Sequence, residues 1–168
     1  NAFDLDINGV ISSTAAASGL IIKGGLGTMR FSGTAANTYT GLTTVNAGEL
    51  LLNKSAGVLA IAGNLAIGDG AGGANSDLVK LLASGQISST AAVVINASSG
   101  KLDLNGFAQT IGSLADTGAV TPGGSSVNLG LGTLTVGDAT STTFSGAITG
   151  TGGSLVKQGA GMLTLAGT

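Results

Sequence analysis

Residues 19–34 (GLIIKGGLGTMRFSGT) are matched without a gap by residues 153–168 (GSLVKQGAGMLTLAGT), at an offset of 134 positions from 19 to 153. The match continues upstream after a gap of three residues, so that the two copies cover residues 8–34 and 145–168. A unit that recurs at this distance in so short a chain favours a quasi-linear repeat architecture over a closed barrel. The identical pairs are Gly19/Gly153, Lys23/Lys157, Gly25/Gly159, Gly27/Gly161, Gly33/Gly167 and Thr34/Thr168.

Around these copies, apolar residues alternate with polar ones over short stretches bounded by Gly, Asn, Asp or Ser. Such alternation is typical of short, half-buried strands. Only Ser76–Gln86 (SDLVKLLASGQ) offers a helical alternative, with a Ser cap followed by leucines at helical spacing. Alternating pairs are Leu5/Ile7, Met29/Phe31, Leu50/Leu52, Leu59/Ile61, Leu65/Ile67, Val93/Ile95, Leu102/Leu104, Val127/Leu129, Leu134/Val136 and Leu163/Leu165.

The repeat and the alternation together predict an all-β coil of strands that turns corners at Gly and Asn. At roughly 20 to 24 residues per three-strand turn, we expect about seven or eight turns, called rungs below. The whole chain, residues 1–168, is interpreted as one segment of such a coil, within a longer repeat array.

The composition excludes several functions. The chain of 168 residues carries 6 Lys and Arg against 8 Asp and Glu, so it lacks the basic stripe that nucleic-acid binding requires. Apolar runs such as Val58–Ala62 are far shorter than the roughly 18 residues of a spanning helix. We therefore expect no nucleic-acid partner and no membrane insertion by this segment. The absence of Cys also excludes a disulfide framework.

Two segments carry a family resemblance: NTYTGLTTVNAGELLL at Asn37–Leu52 and LVKQGAGMLTLAGT at residues 155–168. Together they closely resemble the autotransporter-associated β-strand repeat, with the pattern L-x-K-x-G-x-G-x-L-x-L-x-G, N-x-Y-x-G-x-T and V-x-x-G-x-L. The resemblance implies a right-handed, single-stranded parallel β-helix, extracellular and displayed at a bacterial cell surface. It implies a scaffold rather than a catalytic activity.

Residue types in the motif indicate structural roles. The lysines are expected on outward faces at the start of a rung, and the glycines that follow them are expected to form the bend. The single tyrosine is expected to pack or cap at a bend rather than to stack on a ligand. These motif residues are Lys23, Gly25, Gly27, Asn37, Tyr39, Gly41, Gly48, Lys157, Gly159 and Gly161.

The acidic residues are weak candidates for chemistry. Asp69 and Asp77, in GDGAGGANSD, suggest a Ca²⁺ site, but a calcium-binding β-roll needs several tandem units and only one such patch exists. Asp4 and Asp6 share a strand face without His or Arg beside them, and Asp103 lies on an outward face between two leucines. We expect a solvated turn at the Asp69 patch, no metal, no cofactor, no catalytic residue and no enzymatic activity.

The leading functional hypothesis is a structural segment of a surface protein or filament. Its partner is then more of the same β-helix, continued covalently or stacked end to end, because neither end reads as a cap. The alternative is an adhesin module that binds glycans of a host or neighbouring cell. Its candidate features are Phe107, Phe144 and the stretch Ala115–Ser126, which holds the only Pro and is expected to leave the helix as a loop.

Overall fold

The computed structural model describes residues 4–14, 19–117 and 124–167, in which every helix-or-strand element is a β-strand. All strand pairs within this part of the chain are parallel. The expected all-β solenoid is thereby confirmed. The helical alternative for Ser76–Gln86 is wrong, because Asp77–Leu81 is a strand whose residues are buried at every second position.

The coil has three faces, and the first face is a continuous sheet of seven parallel strands. Seven strands here correspond to seven rungs, within the expected number. The strands of this face are β1 (Leu5–Ile7), β3 (Thr28–Gly33), β5 (Gly48–Lys54), β7 (Asp77–Leu81), β9 (Gly100–Asp103), β12 (Ser126–Asn128) and β15 (Ala147–Thr149).

The second and third faces complete each rung. On the second face, the early rungs are linked by isolated backbone hydrogen bonds and by the parallel bridge between Ile61 and Ile87. The late rungs form the strands β10 (Gln109–Ile111), β13 (Thr133–Val136) and β16 (Ser154–Lys157). The strands of the third face are β2 (Ile21–Lys23), β4 (Thr43–Val45), β6 (Leu65–Ile67), β8 (Ala92–Asn96), β11 (Ser113–Thr117), β14 (Thr142–Phe144) and β17 (Leu163–Leu165).

Rung length varies more than the sequence suggests. Met29 pairs with Leu50, and Leu50 pairs in turn with Val79, so the second of these steps takes up more chain than the first. The longer rung contains residues 68–76, which leave the ladder as a loop between β6 and β7. This rung therefore contains more residues than the sequence predicts, because its corner carries an insertion.

Inward side chains stack into columns that form the core. Leu50, Val79 and Leu102 follow one another through the first face and are fully buried. Each such residue contributes about 1.5 to 3 kcal/mol of burial. At the ends of the coil the columns open: Leu5, at the end of this first-face column, is 48% exposed, and Leu165, the last residue of the third-face column that contains Phe144, is 51% exposed. The core is thus sealed along its sides and open at both described ends.

The two sequence copies lie on different faces. Lys23 ends β2 on the third face, whereas Lys157 ends β16 on the second. The offset between the copies is not a whole number of rungs. Ile21 lies on the third face, whereas its equivalent in the second copy, Leu155, lies on the second face. The third-face strand of the last rung begins only at Leu163. The same corner motif therefore builds two different corners of the triangular coil.

Candidate functional site

The corner after β2 is held together by a buried lysine. Lys23 is only 4% exposed, and its Nζ donates to the carbonyl oxygens of Gly24 (3.3 Å), Gly25 (2.8 Å) and Ala47 (2.9 Å). The expectation that Lys23 faces outward is wrong, because the corner turns backbone carbonyls inward and the ammonium group satisfies them. Burial lowers the pKa of Lys23, against a smaller opposing effect of Asp4.

The second copy repeats this local geometry in the last rung. Lys157 is exposed, and its Nζ donates to the carbonyls of Gln158 and Gly159. The residue after next is a left-handed glycine in both corners, with φ of 76° at Gly25 and 71° at Gly159, a conformation that side chains with a Cβ disfavour. A carbonyl equivalent to that of Ala47 belongs to the next rung, and the described residues supply none for Lys157.

Asn37 connects three successive rungs through its side-chain amide. Its Oδ1 accepts from the backbone N–H of Ile11 (2.9 Å), and its Nδ2 donates to the carbonyl of Ala60 (2.7 Å). The side chain is 1% exposed, so no water can replace these bonds. The Asn37 side chain therefore joins neighbouring rungs by hydrogen bonds on the second face, where the early rungs have no regular strands.

Tyr39 lies two residues after Asn37 in the same rung. It is fully buried, its Cβ packs against Gly19, and its hydroxyl shares a hydrogen bond of 2.7 Å with Thr43 Oγ1. Burial raises the pKa of Tyr39 to about 12, and the bond to Thr43 lowers it slightly. The expectation of a packing role for this tyrosine agrees with its position.

We expect the Tyr39 phenol to ionise near pH 12 in the folded protein and near about 10 after unfolding. Because its folded pKa is raised, the stabilisation is complete below about pH 10 and is lost as the pH rises towards 12, by roughly 3 kcal/mol. Tyr39→Phe should remove this part of the alkaline loss. Phenolate absorbance, with urea unfolding of both proteins across this pH range, measures it.

Lys23 and Lys54 have lowered pKa values and oppose this trend, but they are common to both proteins and cancel in the comparison. A folded-state phenol that ionises near pH 10 would contradict the buried position of Tyr39.

A column of buried polar side chains, which sequence analysis missed, lines the corner between the first and second faces. Lys54 is 1% exposed and donates to the carbonyls of Gly9 (3.2 Å) and Ser32 (2.9 Å). Gln86 accepts from the Lys54 N–H, and Gln109 accepts from the Gln86 N–H, each at 2.8 Å. No motif marks these residues, since they are separated by 32 and 23 positions.

The two acidic candidates for a metal site, Asp69 and Asp77, lie in different environments. Asp69 is exposed and accepts from the N–H of Ala71, whereas Asp77 is buried at the start of β7 and accepts from the Ser76 hydroxyl. Among the described residues no group of three or more acidic, His or Cys side chains could hold a metal ion. The structure therefore gives Asp69 and Asp77 no third acidic ligand within that part of the chain.

Asp6 and Arg30 form an ion pair across the first two rungs, which corrects the expectation that Asp6 has no Arg beside it. The Arg30 guanidinium and the Ser32 hydroxyl lower the pKa of Asp6. Asp103 is only 9% exposed, and its Oδ1 accepts from Asn105 and Asn128. These carboxylates therefore accept hydrogen bonds that mostly join neighbouring rungs.

The features proposed for adhesion are mostly structural. Phe144 is fully buried in the core, so its choice as a candidate glycan-binding residue is wrong, and Phe107 is half-buried against the core. The stretch Ala115–Ser126 begins within β11 and ends at the first residue of β12, and its residues 118–123 lie outside the described part of the chain. A shallow groove of about 410 Å³ crosses the second face between Ser84, Thr110 and Thr135.

The corner lysines, the rung-bridging amide and the open columns define a β-solenoid scaffold, in which polar side chains serve to hold rungs together. A family model described as Passenger-associated-transport-repeat (PATR) matches residues 21–52 and 155–168. The autotransporter-type resemblance noted from the sequence is confirmed in these two segments, and it fits a secreted or surface protein.

No curated protein and no solved structure gave a significant match to the chain. Within the described residues, no helix has the length and apolar character needed to cross a membrane.

Proposed function

We propose that this chain is a structural segment of an extracellular β-helical protein or filament at a bacterial cell surface, without catalytic activity. It acts as a rigid spacer whose axis continues by more of the same β-helix. The observation that carries this proposal is the pair of open ends: inward-facing Leu5 and Leu165 are each about half exposed. By contrast, Leu50, two rungs further along the column of Leu5, and Phe144, the partner of Leu165, are fully buried. The repeat match at residues 21–52 and 155–168 supports it.

Within the described residues, the strands of each terminal rung pair on one side only, as β1 does with β3 and β17 with β14. An exposed edge of this kind pairs readily with another strand. At the first rung the edge lies beside a groove of about 360 Å³ that includes Leu5 and Met29, and at the last rung beside one of about 290 Å³ that includes Ile148 and Leu165. Apolar grooves beside strand edges suit end-to-end stacking of parallel rungs.

We expect the purified chain to associate end to end as its concentration rises, and Leu165→Asp to weaken this association at least tenfold. The reason is that a carboxylate on the inward side of the last rung would be buried in the contact without a partner. Leu131→Asp, at a side chain 78% exposed, is the matched control and should leave association unchanged. Sedimentation velocity and electron microscopy of the particles measure it, and a strictly monomeric protein at high concentration contradicts the proposal.

The second candidate is a glycan-binding adhesin module. The groove on the second face favours it, because in-register Thr110 and Thr135 present outward hydroxyls beside Ser84 and Ser89. A glycan array supports this candidate if Thr135→Val loses the signal, and an array without hits removes it.

A further inference from the structure

The C-terminal edge of the coil, formed by β16 and β17, carries the second sequence copy. The first copy forms β2 and β3, and there the structure shows which strands of the next rung cover the same motif. In the first copy, β2 and β3 are covered by β4 and β5, with Ile21 paired to Thr43 and Met29 paired to Leu50. In the second copy, β16 and β17 pair on one side with β13 and β14, and the described residues place no strand on the other side.

The side chains of the two edges also correspond. Phe31 is fully buried beneath its partner Leu52, and the equivalent residue of the second copy, Leu165, is 51% exposed. Leu165 lines the end groove together with Gly167, which is the counterpart of Gly33. The surface that Leu52 covers in the first copy is therefore accessible in the second.

The hydrogen bonds of the two corner lysines also correspond. Lys23 makes two bonds within its own corner and a third, of 2.9 Å, to Ala47 in the covering rung. Lys157 makes the two local bonds, to Gln158 and Gly159. Because an ammonium group has three donors, Lys157 retains the one that Lys23 directs to the next rung.

We propose that the edge formed by β16 and β17 is a docking edge for one further rung with the sequence pattern of residues 35–53, and that Lys157 donates its third hydrogen bond to that rung. This inference rests on the proposed function, since it names the rung that continues the scaffold. The occupant is a parallel segment of the type N-x-Y-x-G-x-T-x-V-x-x-G-x-L, because that pattern covers the same edge between residues 21 and 33.

The experiment appends a copy of residues 35–53 (AANTYTGLTTVNAGELLLN) directly after Thr168. The chain then has two tyrosines, and Tyr39 serves as an internal standard for folding because its pKa is raised to about 12. If the added rung docks, the preceding rung shields the second phenol on one side, and this phenol ionises clearly above about pH 10. If it does not dock, the second phenol ionises near about 10, which overturns the inference.

Two variants sharpen the test. Gly41→Val within the added copy should return the second phenol to its ordinary pKa, since the original Gly41 has no room for a Cβ against Gly19. Lys157→Met removes two local hydrogen bonds in both chains, and should lower the melting temperature of the extended chain by more than that of the unextended chain, because only the extended chain also loses the bond to the added rung. Equal effects of Lys157→Met in both chains would contradict the role given to Lys157.

The outcomes separate this inference from the proposed function. A chain that associates end to end, but whose added rung stays exposed, overturns only the assignment of the docking segment. A chain whose added rung docks, but which shows no self-association in unextended form, overturns only end-to-end stacking.

Discussion

Gly41→Ala is expected to lower the free energy of unfolding by about 3 kcal/mol, the upper end of the usual cost of overpacking. A Cβ at this position would lie 2.6 Å from the carbonyl oxygen and 2.8 Å from the carbonyl carbon of Gly19 in the rung before. The obstacle is backbone rather than a flexible side chain, so the rungs themselves must separate. Urea unfolding followed by circular dichroism measures the change.

Gly24→Ala is the matched control. It lies in a corner as well, but a Cβ there would meet nothing within 4 Å, and its φ is not in the left-handed region. We expect this variant to be unchanged or stabilised by about 0.4 to 1 kcal/mol, because alanine restricts the unfolded chain. Equal destabilisation by Gly41→Ala and Gly24→Ala would show that rung spacing is not the cause.

Asn37→Ala is also expected to lower the free energy of unfolding by about 3 kcal/mol. The reason is that each buried polar group that loses its hydrogen-bond partner costs roughly 1 to 3 kcal/mol. The substitution leaves the N–H of Ile11 without its partner, and leaves the carbonyl of Ala60 with only the long 3.5 Å bond from the Tyr39 hydroxyl. Asn37→Asp should cost at least as much at neutral pH, because a carboxylate cannot donate to the Ala60 carbonyl. Urea unfolding of the three proteins at neutral pH measures both costs.

The control for this variant is Asn53→Ala, a half-buried asparagine of β5 that makes no side-chain hydrogen bond within the described part of the chain. We expect it to change stability by less than about 0.5 kcal/mol. Hydrogen exchange should locate the damage from Asn37→Ala in the first three rungs, since rungs of a solenoid contact only their neighbours. Uniform loss of protection along the coil would contradict that local role.

Much of the fold is predictable from local pattern. Leu65/Ile67 and Leu134/Val136 alternate because a strand buries every second residue, and the stacked columns follow once rungs of similar length repeat. Glycine after Lys23 indicates a bend because Gly25 adopts a positive φ. The direction of the Lys23 side chain was not predictable, since its carbonyl partner Ala47 lies in another rung, 24 residues away.

By itself, the sequence determined the all-β class, the approximate number of rungs, the repeat at 19–34 and 153–168, and the motif that PATR describes. Only the tertiary structure decided that these copies build different corners, that Lys23 is buried, and that Lys54, Gln86 and Gln109 form one column. The physical reason is that alternation and turns are encoded by near neighbours. Contacts between rungs depend on the summed length of every strand and loop in a turn, and no local pattern records that sum.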